Sequence, residues 1–284
     1  MRANGGPPTV LAVVMTYNRR EVLRRCLEAI RAQTLRPAGV QLLDNGSTDG
    51  TIEMVASDFP EVRVHGTGEN LGSAGAIREA LRVALETAPD YVWFFDDDVV
   101  AHPSCLEILL REIRSLEPDV RVGVLRPMVR DPHTGEVGGG ATPHGALLSG
   151  AMARVVGLPP GDTFMELSDP IYNAMIRKHG YQILRVPFVL AEHQVRNEKS
   201  LRQVVREGFS VTPWRLYYAV RNRIWHSVYK EHSPRQFART VAIALRTLFL
   251  LTLFGRPRRG HLMVIRGLID GMLGRLGRRV EPTY

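Results

Sequence analysis

Short apolar runs that stop at polar clusters alternate with longer segments of helical spacing through the first hundred or so positions. Thr9–Met15 (TVLAVVM) is β-branched and apolar and ends at Thr16-Tyr17-Asn18, and Glu21–Gln33 then carries Val22, Leu23, Cys26, Leu27 and Ile30 at helical intervals. This predicts a strand followed by a helix. Val40–Leu43 leads into Asp44-Asn45-Gly46-Ser47-Thr48-Asp49-Gly50, a cluster of turn formers, before a second helix at Thr51–Ala56. Glu61–His65 and Ala74–Glu86 repeat the unit, and Tyr91–Phe95 (YVWFF) is a fourth strand that stops at Asp96-Asp97-Asp98. Such alternation predicts a mostly parallel sheet covered by helices on both faces, with ligands beyond the carboxyl ends of the strands.

After Pro118 the pattern loosens. Gly123–Met128 reads as a strand, and Arg130–Ser149, rich in glycine, as an irregular loop or binding lid. Asp169–His179 reads as a helix, Tyr181–Val186 as a strand and Pro213–Lys230 as an aromatic-rich helix. Gly138-Gly139-Gly140-Ala141 and Gly145–Gly150 are candidates to shape an acceptor pocket or to form a surface loop.

Composition is that of a globular chain, and 284 residues suffice for one large α/β domain with a smaller appendage. Cys26 and Cys105 stand outside any C-x-x-C pattern and make no disulfide framework. The N-terminal MRANGGPPTV lacks a signal peptide's apolar core, so a cytoplasmic location is expected. The net charge of +8 lies entirely in residues 230–284, which hold 11 Lys+Arg against 3 Asp+Glu. The same tail holds Val241–Phe254 (VAIALRTLFLLTLF), interrupted by Arg246. That run is short for a membrane span, which needs ~20 apolar residues. With Arg235, Arg239, Arg256, Arg258, Arg259, Arg266, Arg275, Arg278 and Arg279 around it, it predicts either a basic amphipathic helix suited to an anionic leaflet, peripheral on the inner face of the cell membrane, or a helix packed on the body with solvated arginines. No aromatic-basic recognition module is present, so nucleic acid is not an expected partner. Oligomeric state is not legible.

Three adjacent carboxylates at a strand end repel one another, and a divalent cation relieves that repulsion. Mg²⁺ and Mn²⁺ take hard oxygen ligands and bridge protein carboxylates to substrate phosphates. Asp44 ends a neighbouring strand on the same rim, where its carboxylate can accept the imide N–H of a uracil or thymine ring or simply close a turn. Asn70-Leu71-Gly72-Ser73-Ala74-Gly75 is a third rim loop opening a helix.

Thr16-Tyr17-Asn18-Arg19, the Asp44–Thr51 run, Asn70-Leu71-Gly72 and Asp96-Asp97-Asp98, in that order, resemble glycosyltransferase family 2, in its rhamnosyltransferase and galactofuranosyltransferase-like branch. The likeness runs from about Val10 to Trp225 and includes Leu158-Pro159, Phe164 and the Arg215–Arg223 helix (RLYYAVRNR). It implies a GT-A fold over 1–229, with a nucleotide-sugar half at about 9–118 and an acceptor half at 119–229, followed by the 230–284 tail. By the same resemblance Thr16, Tyr17, Asn18, Arg19, Asp44, Asn70, Gly72, Asp96 and Asp97 contact a nucleotide-sugar donor, while Asp96, Asp98 and His193 hold Mn²⁺ or Mg²⁺. Asp169 matches the family's general base. Its frequent acidic neighbours are replaced here by Ser168 and Ile171, leaving Glu166 as the other local carboxylate. Arg221 and Arg223 are candidates to add positive charge at the leaving diphosphate.

These parts imply an inverting, metal-dependent transfer of rhamnose or galactofuranose from a UDP- or dTDP-sugar to a glycan or glycolipid acceptor in envelope polysaccharide synthesis. A noncatalytic nucleotide-sugar-binding scaffold at a membrane, and a nucleotidyltransferase, are the competing readings. The second would want a glycine-rich phosphate loop where Thr16-Tyr17-Asn18-Arg19-Arg20 stands.

Overall fold

The computed structural model describes residues 6–117, 119–139, 143–194, 212–253 and 258–282. Gly140, Ala141, Arg256 and the first five positions, which entered the expectations above, lie outside the described residues. The described residues within Met1–Leu71, Ala76–Pro159 and Asp169–Asn197 form one compact unit, and those within Gly72–Gly75, Pro160–Ser168 and Glu198–Tyr284 form another.

The first unit is built on a nine-stranded sheet. β1 (Val10–Thr16), β2 (Gly39–Asp44), β3 (Val62–Gly66) and β4 (Tyr91–Asp96) are mutually parallel in the order β3-β2-β1-β4, as the alternating pattern requires. β5 (Val99–Ala101), β6 (Val122–Arg130), β7 (Val137–Gly139), β8 (His144–Ser149) and β9 (Gln182–His193) complete it. Here the expected loop at 130–149 is replaced by strand: β7 pairs with β6, and β8 lies between β4 and β6, antiparallel to both. β9 runs parallel to β6 and extends to His193, where it pairs antiparallel with β5. Parallel pairing thus dominates the first half, and antiparallel strands enter in the second.

One face of the sheet packs α1 (Arg20–Arg31), α2 (Thr51–Asp58) and α4 (Cys105–Ser115) through Leu23, Leu27, Val55, Leu106 and Leu109. The other packs α3 (Gly72–Glu86), α5 (Gly150–Val156) and α6 (Ser168–Lys178) through Ala80, Leu81, Met152, Tyr172 and Ile176. In α1 the buried Leu23, Cys26, Leu27 and Ile30 recur at helical spacing, and Glu21 and Arg31 sit at the ends that the helix dipole favours. Burying each such aliphatic side chain stabilises by roughly 1.5–3 kcal/mol. Both cysteines are buried thiols.

The second unit contains α7 (Pro213–Tyr229), α8 (Pro234–Leu253) and α9 (Arg258–Met272). α9 lies close on α7 because glycines face it: a Cβ on Gly267 would come within 2.8 Å of Tyr217 O, and one on Gly271 within 2.6 Å of Arg221 O. Val220, Ile224, Ala244, Leu251 and Val264 form the core among the three helices.

Candidate functional site

The sheet brings the polar strand ends of the first unit to one rim. Thr16 and Asp44 close β1 and β2 in register with each other, and Met15 pairs with Asp96 of β4. The rim loops are laced together by side chains. The Asn18 backbone N–H donates to Ser47 Oγ at 2.9 Å, and Asn18 Oδ1 accepts from the Thr48 N–H at 2.7 Å. Asn45 Nδ2 donates to Asn70 Oδ1 at 3.2 Å, and Asn45 Oδ1 accepts from the Leu71 N–H at 2.9 Å. Gly46, at φ +87°, leaves no room for a Cβ, which would lie 2.9 Å from the Glu69 carbonyl carbon. Asn18 and Asn70, expected as donor contacts, therefore serve as loop fasteners.

Asp44 is buried, and its oxygens accept from the Gly46 and Ser47 amides at 3.0–3.2 Å. It thus closes the turn, one of the two roles its sequence allowed. Tyr17 is half-buried beside Thr16.

The three aspartates diverge. Asp97 points back into the sheet, where Thr16 Oγ1 donates to its Oδ2 at 2.7 Å and Arg19 Nη1 to its Oδ1 at 3.2 Å. The same Arg19 nitrogen donates to Asp98 Oδ2 at 2.8 Å. Asp98 Oδ1 lies 3.3 Å from His193 Nε2 but makes no hydrogen bond of acceptable geometry. That approach is built by pairing Val99 of β5 with His193 of β9. Asp96 Oδ2 instead faces His144 Nε2 at 3.7 Å, and the His144 and His193 rings lie 4.9 Å apart.

His144 was not anticipated, because its strand lay in the glycine-rich stretch read as a loop. A register shift between Phe94 and Phe95 opposite β8, with Gly145 at φ +78°, places His144 across from Phe95. Trp93 Nε1 donates to Gly145 O at 3.0 Å and holds the bend.

Electrostatics follow from this crowding. Burial, then Asp98 and Asp97, push the Asp96 carboxyl well above the usual carboxylate range, although 35% of its side chain reaches solvent. Burial raises Asp97 to about 6 against the opposing pull of Arg19 and Thr16. Burial, reinforced by His193, lowers His144 to about 4, so it is neutral near pH 7. Asp169, in the first turn of α6, adds its field to both Asp96 and His144. Its Oδ2 lies 3.8 Å from Nη2 of the buried Arg126, which also donates to Asn173 Oδ1 at 2.8 Å. Arg126, on β6, is a second residue that sequence reasoning missed; a lone arginine in an apolar run carried no signal of its partner.

Among the described residues no three His, Cys, Asp or Glu side chains converge closely enough to hold a metal by themselves. Asp98 and His193 nonetheless fit one. Two donors each bonded at ~2.1 Å to a six-coordinate ion lie ~3 Å apart, and such ions complete their shell with water and substrate phosphate. A cleft of about 410 Å³ at the opposite, amino-terminal end of β1 and β2, lined by Val10, Gly39, Gln41 and Arg63, touches none of these residues.

In the second unit Arg221 is fully buried. It donates through Nε to Asn222 Oδ1 (2.8 Å), through Nη1 to Gly277 O (2.7 Å) and through Nη2 to Thr163 O (2.6 Å). Asn222 Nδ2 also donates to Thr163 O and Met165 O. These bonds pin a segment in which Phe164, Glu166 and Leu167 all have positive φ. Arg221 is thus a structural arginine and not the diphosphate contact expected of it, while Arg223 is exposed on α7. Gly72 is likewise a packing residue. At φ +71° its absent Cβ would sit 2.0 Å from Phe164 O.

The order of these rim motifs is matched by a whole family: the Glycosyl transferase family 2 model aligns with residues 11–135. Residues 11–135 are a family 2 glycosyltransferase domain. Over 153 residues the chain is 35% identical to an N-acetylglucosaminyl-diphospho-decaprenol L-rhamnosyltransferase of Mycobacterium tuberculosis, covering 51% of this chain and 48% of that protein. It is 34% identical over 89 residues to the galactofuranosyltransferase GlfT1 of Mycolicibacterium smegmatis, covering 31% and 30%. The chain therefore spans about half the length, or less, of these curated relatives. In fold it is similar to a mannosyltransferase from Pyrobaculum calidifontis solved with GDP-Man and Mn²⁺ (19% identical, TM-score 0.54, 95% of this chain and 89% of that one). It is also similar to S. aureus TarS 1–349 with UDP-GlcNAc (14%, TM-score 0.59, 93% and 89%). The glycosyltransferase domain accordingly has the GT-A architecture.

Proposed function

We propose that the protein transfers a sugar from a nucleotide-diphosphate donor to an acceptor hydroxyl in a single, inverting displacement. The observation that carries this reading is the Asp98–His193 approach, 3.3 Å without a hydrogen bond, at the acidic rim of a family 2 domain. Asp98 and His193 would hold Mn²⁺ or Mg²⁺, with water and donor phosphate completing the shell, whereas Asp96, the third ligand the resemblance implied, faces His144 instead. A bound divalent ion supplies Lewis-acid stabilisation of the charge that builds on the departing diphosphate.

Asp169 is the proposed base. Its carboxylate takes the proton of the acceptor hydroxyl as that oxygen attacks the anomeric carbon, a contribution of about 10²–10⁴ in rate. Arg126, 3.8 Å away, steadies the carboxylate's orientation. Thr16 and Arg19 fix Asp97 for the donor's ribose or sugar.

The rhamnosyltransferase and galactofuranosyltransferase relatives favour dTDP-rhamnose or UDP-galactofuranose as donor, and a lipid-linked glycan of envelope polysaccharide synthesis as acceptor. Such an acceptor suits an enzyme held on the inner face of the cell membrane by residues 230–284.

The test is donor turnover. The protein is incubated with UDP-, dTDP- and GDP-sugars and Mn²⁺ or Mg²⁺, with and without lipid extract, and released nucleotide diphosphate is measured. Metal-dependent release from one donor, lost in Asp98→Ala and in Asp169→Asn, is expected. Equal activity in Asp169→Asn would remove it as the base, and tight donor binding without turnover under any acceptor would favour the scaffold reading.

A further inference from the structure

Nine of the fifteen large apolar side chains left exposed among the described residues lie between Ile243 and Leu273, in α8, in α9 and just after it. On α9 the buried face is Gly260, Val264, Gly267, Asp270 and Gly271. The opposite stripe is Leu262, Ile265, Ile269 and Met272, with Leu273 just beyond, each 44–60% exposed. On α8, Thr240, Ala244 and Leu251 are buried, whereas Leu245, Phe249 and Leu253 are 58–64% exposed. The sequence pattern pointed to the α8 run but not to the stripe on α9, where three arginines and four glycines from Arg258 to Gly274 mask the apolar positions.

Charge identifies the occupant. Arg235, Arg239, Arg246, Arg258, Arg259 and Arg266 are all exposed on these two helices. The only acid in either helix is Asp270, which is buried and accepts from Tyr217 Oη at 2.7 Å. An apolar stripe edged by cations with no exposed anion matches an anionic lipid leaflet.

α8 is long and apolar enough to cross a bilayer by length and composition. Three features argue that it does not. Arg246 would lie within about one turn of the helix centre, where hydrocarbon penalises a charge. Arg235 and Arg239 would occupy much of the other half. Inserting the helix end-on would also strip Ala244 and Leu251 from Val220, Ile224 and Val264. α9, with 15 residues and so ~22 Å long, is too short to span. In the membrane plane every arginine can reach the headgroups while its stem covers apolar surface.

We propose that α8 and α9 lie in the plane of an anionic leaflet, with Leu262, Ile265, Ile269 and Phe249 inserted at the acyl boundary and the flanking arginines at the headgroups. This rests on the reading of residues 230–284 as a membrane-associating tail and adds the inserting face and its orientation.

The test uses the full chain with vesicles of phosphatidylcholine alone or with 30 mol% phosphatidylglycerol, and nitroxide labels at Ile243→Cys, Leu253→Cys, Leu262→Cys and Ile269→Cys. Binding is expected with the anionic vesicles only. It should weaken on the order of 100-fold in the Leu262→Asp/Ile269→Asp double variant and about five-fold per charge in Arg258→Gln/Arg259→Gln. Label depths should agree within a few ångströms along each helix. A span would separate the Ile243 and Leu253 labels by about 15 Å in depth, and that result would overturn the in-plane arrangement. So would undiminished binding of the double Asp variant, or no binding by the intact chain. Vesicle-free donor turnover of the same variants separates the two proposals, because its persistence when binding fails leaves the catalytic reading intact.

Discussion

Replacing Arg221 with methionine keeps most of the alkyl volume and removes the guanidinium, so it isolates what three hydrogen bonds contribute. Each bond from a charged donor is worth about 1.5–3 kcal/mol. Against that stands the cost of burying the charge, which already lowers the arginine's pKa. Thr163 O keeps Asn222 Nδ2 as a donor, whereas Gly277 O loses the Arg221 bond, at about 1–3 kcal/mol if left unpaired. The balance is a loss of about 3 kcal/mol. At about 2–4 °C per kcal/mol for a chain of this size, the melting temperature should fall by about 6–12 °C. Urea denaturation measures the free energy and thermal melting the temperature, while donor KM is followed on protein held well below the transition. KM should stay within two- or three-fold of wild type. A stability change under about 1 kcal/mol together with a tenfold rise in donor KM would refute the structural assignment and return Arg221 to the diphosphate.

Further expectations concern the rim and its supports. Asp98→Asn and His193→Ala should each weaken Mn²⁺ binding by at least about ten-fold in a calorimetric titration, and unchanged affinity in both would exclude them as ligands. Gly72→Ala should cost about 2–4 kcal/mol in urea, since its Cβ would meet Phe164 O at 2.0 Å in a positive-φ conformation; a neutral substitution would show that the segment yields. The depressed pKa of His144 gives a signed pH dependence. The unfolded imidazole takes up a proton as pH falls through about 6.5, while the folded one stays neutral until about 4, so wild type loses up to about 3 kcal/mol across that window. Asp97, raised to about 6, acts with the opposite sign but is common to both proteins. His144→Gln should therefore hold its stability better than wild type between pH 6.5 and 4, and parallel curves would contradict the shift.

The parallel half of the sheet was legible because each of its strands is an apolar run ended by turn formers, and local pattern is enough to show that. β8 was not, since Gly145 and the flanking glycines read as loop, and its place between β4 and β6 depends on partners about fifty and twenty positions away. His144 was lost with it. The acidic triad and His193 were legible as residue types, but the split of the triad between Arg19, His193 and His144 depends on the β5–β9 pairing. Arg221 was misjudged for a different reason. Two of its three acceptors are main-chain carbonyls of Thr163 and Gly277, groups every residue carries and no side-chain pattern reveals.

The asparagine fasteners at the rim bear on how tightly a donor could bind. Asn18 ties the loop after β1 to the one after β2, and Asn45 ties the latter to the loop before α3. These loops are already frozen before any ligand arrives, so their conformational entropy is spent during folding and is not charged against association. Binding there should accordingly show little ordering of the rim, with hydrogen-exchange protection at Ser47, Thr48 and Leu71 already high in the free protein.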